Sequence, residues 1–268
     1  MSAPVFFAES ADLSGYTAGS VYRLDGAEGR HAGVVQRRAP GEDVDVVDGE
    51  GTRLRCTISA VDGASVDLLV GEVVVEPRPE VVVTLVQALA KGDRDELAIE
   101  AATEVGADAV VPWQAERSIV VWRGDRAARS QARWRATVRT ATKQARRARV
   151  PVVSDAVTSR GLVARTREVV AAGGAVVVLH EEATVPLAEI ELPVPATVPS
   201  TASAGSPAAP ELLVVVGPEG GISATEVEGL VEAGARCARL GPHVLRTSTA
   251  GPVAIALLCE RLGRWGSA

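Results

Sequence analysis

The strongest constraint on the fold is a pattern that starts at Val81, where short, wholly apolar runs alternate with segments of helical periodicity. Val81–Leu89, Ala109–Val111, Ala175–Leu179, Leu212–Val216 and Cys237–Leu240 read as strands. Arg94–Val105, closed by Gly106, and Arg126–Arg149, Gly161–Ala172, Thr225–Glu232 and Ala250–Leu262 read as helices. A strand that is apolar on both faces needs cover on both sides, and helices between successive strands supply it. The pattern therefore predicts an α/β domain built on a parallel sheet. Such sheets bind ligands beyond the carboxyl ends of their strands, so the turns there are where chemistry is expected.

The preceding part obeys a different period. Between residues 18 and 76, runs such as Asp43–Val47 and Leu54–Ile58 alternate in twos and are broken by Asp48-Gly49 and Asp62-Gly63 turns. This spacing predicts a small antiparallel barrel. Glu76-Pro77-Arg78-Pro79 reads as a linker, because proline cannot donate to a strand ladder. The expected division is thus 1–77 and 78–268. Residues 192–210, rich in Pro, Ala, Ser and Thr without periodicity, read as a flexible surface insertion.

With 47% hydrophobic residues in 268, the chain can bury both cores. It contains no apolar run of about 18 residues and no basic-then-apolar leader among its first ten, so a cytoplasmic protein is expected. Cys56, Cys237 and Cys259 lie far apart, as do His31, His180 and His243, so neither a disulfide frame nor a metal site is predicted. A net charge of −6 argues against a nucleic-acid partner until its distribution is considered. Arg117–Arg167 holds fourteen Arg and Lys against Asp125 and Asp155, whereas residues 1–77 hold six basic and thirteen acidic residues. Such segregation points to a polyanion on the basic stretch. In the long helix, Trp134, Val138, Ala141, Ala145 and Ala148 form an apolar stripe. Arg129, Arg133, Arg135, Arg139, Lys143, Arg146 and Arg147 spread over the other side, and guanidinium forks suit phosphate.

Two strand-end loops carry the densest chemistry. Gly217-Pro218-Glu219-Gly220-Gly221-Ile222-Ser223 follows one apolar strand and leads into a helix with Ser223 as N-cap. Adjacent glycines let the backbone approach a ligand closely, yet neither a P-loop nor a dinucleotide fingerprint is present. Leu240-Gly241-Pro242-His243-Val244-Leu245-Arg246-Thr247-Ser248-Thr249 follows the last strand. Two such loops on neighbouring strand ends would wall one pocket.

The combination GPEGG with LGxxVLRT resembles the signature of the SPOUT methyltransferases. More closely, it is similar to the ribosomal RNA small subunit methyltransferase E family. Gln87–Asp93, Thr103–Ala107, Glu116-Arg117-Ser118 and Lys143–Arg147 with Val150-Pro151 resemble further family elements. The likeness covers 78–268 apart from the insertion. More weakly, His31–Arg37 and Pro40–Gly51 resemble a PUA-like RNA-binding barrel. Lys143 and Ser248 stand where the family often has Glu, and Val34 and Gln36 where Arg and Leu are usual, while Arg37 keeps the basic position.

The resemblance implies a trefoil-knotted α/β domain, S-adenosyl-L-methionine as cofactor, and methylation of N3 of a uridine in the decoding region of 16S ribosomal RNA. It also implies a homodimer. It assigns cofactor binding to Leu179, His180, Glu181, Gly217, Pro218, Glu219, Gly220, Gly221, Ile222, Leu240, Gly241, Val244, Leu245, Arg246, Thr247 and Ser248. Arg246 is the candidate catalytic residue, as a cation where charge develops on the uracil. Glu219, Glu181 and His180 stand open as the base. Arg37, Lys91, Arg117, Arg139, Lys143, Arg146 and Arg147 are the candidate RNA contacts, on the assembled small ribosomal subunit or its RNA. A ribose 2′-O-methyltransferase of the same superfamily and a non-catalytic RNA-binding assembly factor are the alternatives.

Overall fold

Strands begin earlier than the turn-rich stretch after residue 18 indicates. In the computed structural model, which describes residues 3–8, 12–194 and 209–266, β1 is Val5–Phe7. Most of the insertion expected at 192–210 lies outside the described residues. Next come β2 (Val21–Leu24), a one-turn helix α1 (Gly26–Arg30) continuing into a wide turn over His31–Val35, β3 (Asp43–Val47), β4 (Thr52–Asp62) and β5 (Ser65–Val75). They form one sheet in the order β1-β3-β4-β5-β2. All neighbours are antiparallel except β1 and β3, which run parallel. A parallel pair needs a long crossover, and the passage through β2 and α1 provides it. The purely antiparallel arrangement expected is corrected here. Alternate residues Val44, Val46, Leu54, Cys56, Ile58, Val66, Leu68 and Val70 turn inward and pack with Phe6 and Leu24.

The chain divides into two units. The first is Met1–Arg78 with Thr142–Val150, and the second is Pro79–Ala141 with Pro151–Ala268. The return of 142–150 to the first unit corrects the expected helix Arg126–Arg149. Helix α3 runs only from Asp125 to Gln144, after β6 (Val82–Ala88), α2 (Arg94–Val105) and β7 (Ala109–Gln114). Arg146 adopts φ 58°. The amide of Arg146 donates to the Lys143 carbonyl at 3.2 Å and that of Arg147 to the Thr142 carbonyl at 3.0 Å. This left-handed cap normally favours glycine, and an arginine there leaves no signal in the sequence. Within the first unit Ala148 then packs on Val5, Phe7 and Val47.

The same excursion explains the acidity of the first 77 residues. Lys143 Nζ lies 2.5 Å from Glu28 and 4.9 Å from the centre of the Phe6 ring. Arg149 donates to the carbonyls of Glu50 and Glu76. Arg53, itself paired with Asp45 and Glu76 at 2.8 and 2.9 Å, donates to the Arg146 carbonyl. With these residues and Arg78 the unit holds eleven basic against thirteen acidic residues. Much of the apparent charge segregation is complementation inside one unit.

The second unit follows the predicted alternation. After α3 come β8 (Val152–Val153), β9 (Val157–Thr158), α4 (Ser159–Ala171), β10 (Ala175–Leu179), β11 (Glu211–Val216), α5 (Ala224–Glu232), β12 (Arg236–Ala238) and α6 (Thr247–Arg261). The sheet order is β12-β10-β11-β6-β7-β8, with β9 also on β7, and every pair is parallel. The two-residue strands β8 and β9 are too short to carry a periodic signal. Val86, Val111, Trp113, Leu162, Val178, Leu213 and Val215 fill one layer of the core. Among the described residues no helix is long and apolar enough to cross a membrane, and no group of three or more His, Cys, Asp or Glu is placed to hold a metal.

Candidate active site

The order β12-β10-β11 sets three carboxyl ends side by side, and each releases one of the segments singled out in the sequence. Leu179-His180-Glu181 leaves β10, Gly217–Ile222 leaves β11, and Leu240–Arg246 follows β12. A parallel sheet brings these residues to one rim although they span about seventy positions.

The glycine loop is held from three directions. Gly221 has φ 74°, which closes the turn and excludes a Cβ without strain, and its amide donates to the Pro218 carbonyl at 2.9 Å. Glu219 accepts from the Lys91 amide at 3.1 Å and from Arg94 Nη1 at 2.8 Å, which ties the loop to the end of β6. Partial burial pushes the Glu219 pKa up, but its own amide, the Arg94 guanidinium and the Lys91 amide hold it below the ordinary value. From the other side, Arg117 Nη1 donates to the Gly220 carbonyl at 3.0 Å.

Helix α5 then starts in a capping box. Ser223 Oγ accepts from the Glu226 amide, and Glu226 Oε2 accepts from the Ser223 amide at 3.0 Å. The other carboxylate oxygen accepts from the Glu116 amide at 2.7 Å and from Ser159 Oγ at 2.5 Å. Glu226 is only 6% exposed. Burial alone would raise its pKa, yet these donors hold it below the usual range. This residue was not singled out from the sequence, although Ser223 with an acid three positions on was a signal for it.

The third fastening joins the two loops. Thr247, the first residue of α6, donates from Oγ1 to the Gly217 carbonyl at 2.8 Å and accepts from Gln87 Nε2 at 2.8 Å. Gln87 and Thr247 are both buried. The side-chain oxygen of Gln87 has no partner among the described residues, which leaves one acceptor over beneath this junction. Thr247 is therefore a structural tether as well as a member of the predicted site. Arg94 and Gln87 are further members that sequence reasoning missed, because each acts only through residues remote in the chain.

The loop after β12 is open by contrast. Gly241 has φ 76° with nothing within 4 Å of the Cβ it lacks. Among the described residues, the main-chain amides of Leu240, Gly241, His243, Val244 and Leu245 have no hydrogen-bond partner. Val244 is 77% exposed, and the exposed guanidinium of Arg246 has no partner among the described residues. At the neighbouring strand end, His180 Nδ1 accepts from the Glu182 amide at 3.3 Å. Glu181 is exposed. Of the predicted RNA contacts, Lys91 and Arg117 lie on this rim and Arg139 on the exposed side of α3. Arg37, Lys143, Arg146 and Arg147 belong to the first unit.

An RNA methyltransferase domain family matches residues 77–259. The ribosomal RNA small subunit methyltransferase E of Mycobacterium bovis is 47% identical over 249 residues, covering 92% of this chain and 89% of that protein. This chain belongs to the ribosomal RNA small subunit methyltransferase E family. The enzyme of that name from Bacillus subtilis is 32% identical over 238 residues, covering 88% of this chain and 89% of the relative. The crystal structure of the Neisseria gonorrhoeae member, bound to S-adenosyl methionine, shares the fold. Its TM-score is 0.77 at 24% identity, over 97% of this chain and 98% of that one. Membership in the methyltransferase E family makes the chain an S-adenosylmethionine-dependent rRNA methyltransferase.

Proposed function

We propose that this protein uses S-adenosyl-L-methionine to methylate N3 of one uridine in the decoding region of 16S ribosomal RNA. The observation that carries the reading is the rim itself. Two loops of family type are fastened together through Thr247 and Gly217, while the backbone of one is left uncommitted. Unengaged amides and carbonyls suit an adenine edge, and Gly241 leaves the close approach open. Leu179, Gly217–Ile222 and Leu240–Leu245 would hold the cofactor largely through main chain and shape. When bound, it supplies an electrophilic methyl group on a sulfonium.

The chain must then manage the acceptor. N3 of uracil carries a weakly acidic proton, and its loss leaves an anion shared with O2 and O4. Arg246 is the cation for that charge, since no carboxylate competes for it among the described residues. Glu219 is a poor base, being held ionised by Arg94 and the Lys91 amide. The Nδ1 of His180 is already engaged. Glu181 keeps an uncommitted carboxylate among the described residues, and we assign it the proton.

The first unit is the PUA-like RNA-binding barrel in this reading, and the second carries the trefoil knot. The exposed arginines of α3 grip the backbone flanking a base that has left its stack. The protein acts in the cytoplasm as a homodimer. On α6, Val253 and Leu257 are 37% and 48% exposed, and on α2, which packs along it, Leu97 is 54% exposed, an apolar face suited to a second copy.

The test is methyl transfer from labelled S-adenosylmethionine to small ribosomal particles, compared with naked RNA. The modified atom is then mapped by nuclease digestion and mass spectrometry. One methyl on uracil N3 is expected. A methyl on ribose would establish the 2′-O alternative, and the lack of any saturable cofactor binding would make the pocket vestigial.

A further inference from the structure

The segment between β7 and α3 is built the wrong way round for a solvated loop. From Ser118 to Arg123 burial alternates strictly. Ser118, Val120 and Trp122 face inward or are half-buried, whereas Ile119, Val121 and Arg123 face outward. Ile119 is 64% exposed and Val121 37%. Two β-branched apolar side chains are thus presented to solvent by a segment with no helix or strand of its own.

That presentation is fixed. Gln114, the last residue of β7, donates from Nε2 to the Val120 carbonyl at 3.0 Å and accepts the Trp122 amide on Oε1 at 3.3 Å. The Trp122 ring meets the buried Trp134 ring edge to face at 5.4 Å. Upstream, the Glu116 amide is bound by Glu226 and Arg117 reaches the Gly220 carbonyl. The loop is therefore continuous with the rim that holds the two family loops. Its charge is one-sided as well. Arg117, Arg123, Arg126 and Arg129 are exposed around the apolar pair, with only Glu116 and Asp125 of opposite sign between residues 116 and 129.

We propose that Ile119 and Val121 form an apolar ledge for an unpaired base of the RNA strand flanking the methylated nucleotide, with Arg123 and the start of α3 on its phosphates. Apolar side chains set among arginines fit a nucleic-acid strand, since bases stack on the apolar surface while guanidinium groups take the backbone. A second copy of the chain would take the apolar residues but leave Arg117, Arg123, Arg126 and Arg129 facing one another across a two-fold axis. The proposal rests on the RNA methyltransferase reading of the adjoining rim.

The test uses the full chain with small ribosomal particles as substrate. The double variant Ile119→Ala/Val121→Ala is expected to raise KM for the particles about tenfold, with kcat and calorimetric binding of S-adenosylmethionine unchanged. The variant Arg123→Ala is expected to lower the slope of log affinity against log salt by about 0.7. If the wild type transfers methyl groups and both variants match it in KM and salt slope, the ledge is refuted while the enzyme reading stands. If the double variant instead turns a wild-type dimer into monomers by analytical ultracentrifugation, the surface belongs to a second copy and the proposal fails. If the wild type transfers no methyl group to RNA, it is the underlying reading that fails.

Discussion

Arg246 and Glu226 show two ways in which one charged side chain serves a site. The guanidinium of Arg246 is exposed and unpaired among the described residues, so its charge is available to a ligand. Replacing it by alanine should leave the fold intact and lower the rate of methyl transfer by about 10²–10³, measured in single-turnover reactions. Glu226 spends its charge internally, on Ser159 and on the Ser223 and Glu116 amides. Its folded pKa is lowered from an ordinary 4.5, so the stability it adds is present above that value and is lost as pH falls through the lower folded pKa. The variant Glu226→Gln should be less stable than wild type at neutral pH in urea unfolding, and the gap should close in acid. Arg246 is singled out in the sequence because it stands in a short motif. Glu226 was passed over although its spacing from Ser223 signals a capping box, and its further partners Glu116 and Ser159 are brought to it only by the sheet.

At the scale of elements, the strand–helix alternation was readable because buried parallel strands are apolar throughout, and Arg94–Val105 and Ala175–Leu179 have the bounds their patterns predict. The end of α3 was not readable. Its cap depends on Arg146 in a conformation that arginine rarely adopts, compensated by contacts of Arg53 and Ala148 within the first unit. The junction of α6 with the glycine loop was hidden for a similar reason, because Gln87 and Thr247 meet across 160 positions. Thr247→Val should remove both hydrogen bonds while keeping the shape. Losing the donor to the Gly217 carbonyl, and one of the two acceptors of Gln87 Nε2, should cost about 1–3 kcal/mol in unfolding experiments and weaken cofactor binding in parallel. On the exposed side of α3, Arg126→Ala and Arg129→Ala should each reduce the salt slope of RNA binding by about 0.7, without any change in unfolding midpoint.

For the whole molecule, the net charge of −6 concealed the arrangement more than it described it. Basic residues 143–149 neutralise much of the first unit, while Arg126, Arg129 and Arg135 are exposed on α3. The two family motifs were read together in the sequence as walls of one pocket on neighbouring strand ends, and the order β12-β10-β11 puts them on one side of the sheet with β10 between them. Hydrogen–deuterium exchange with and without S-adenosylmethionine tests that claim most directly. Saturable protection is expected, concentrated in residues 217–222 and 240–247, with the strand end at 179–181 following. Saturable binding that protects some other part of the chain and leaves those amides exchanging freely would contradict it.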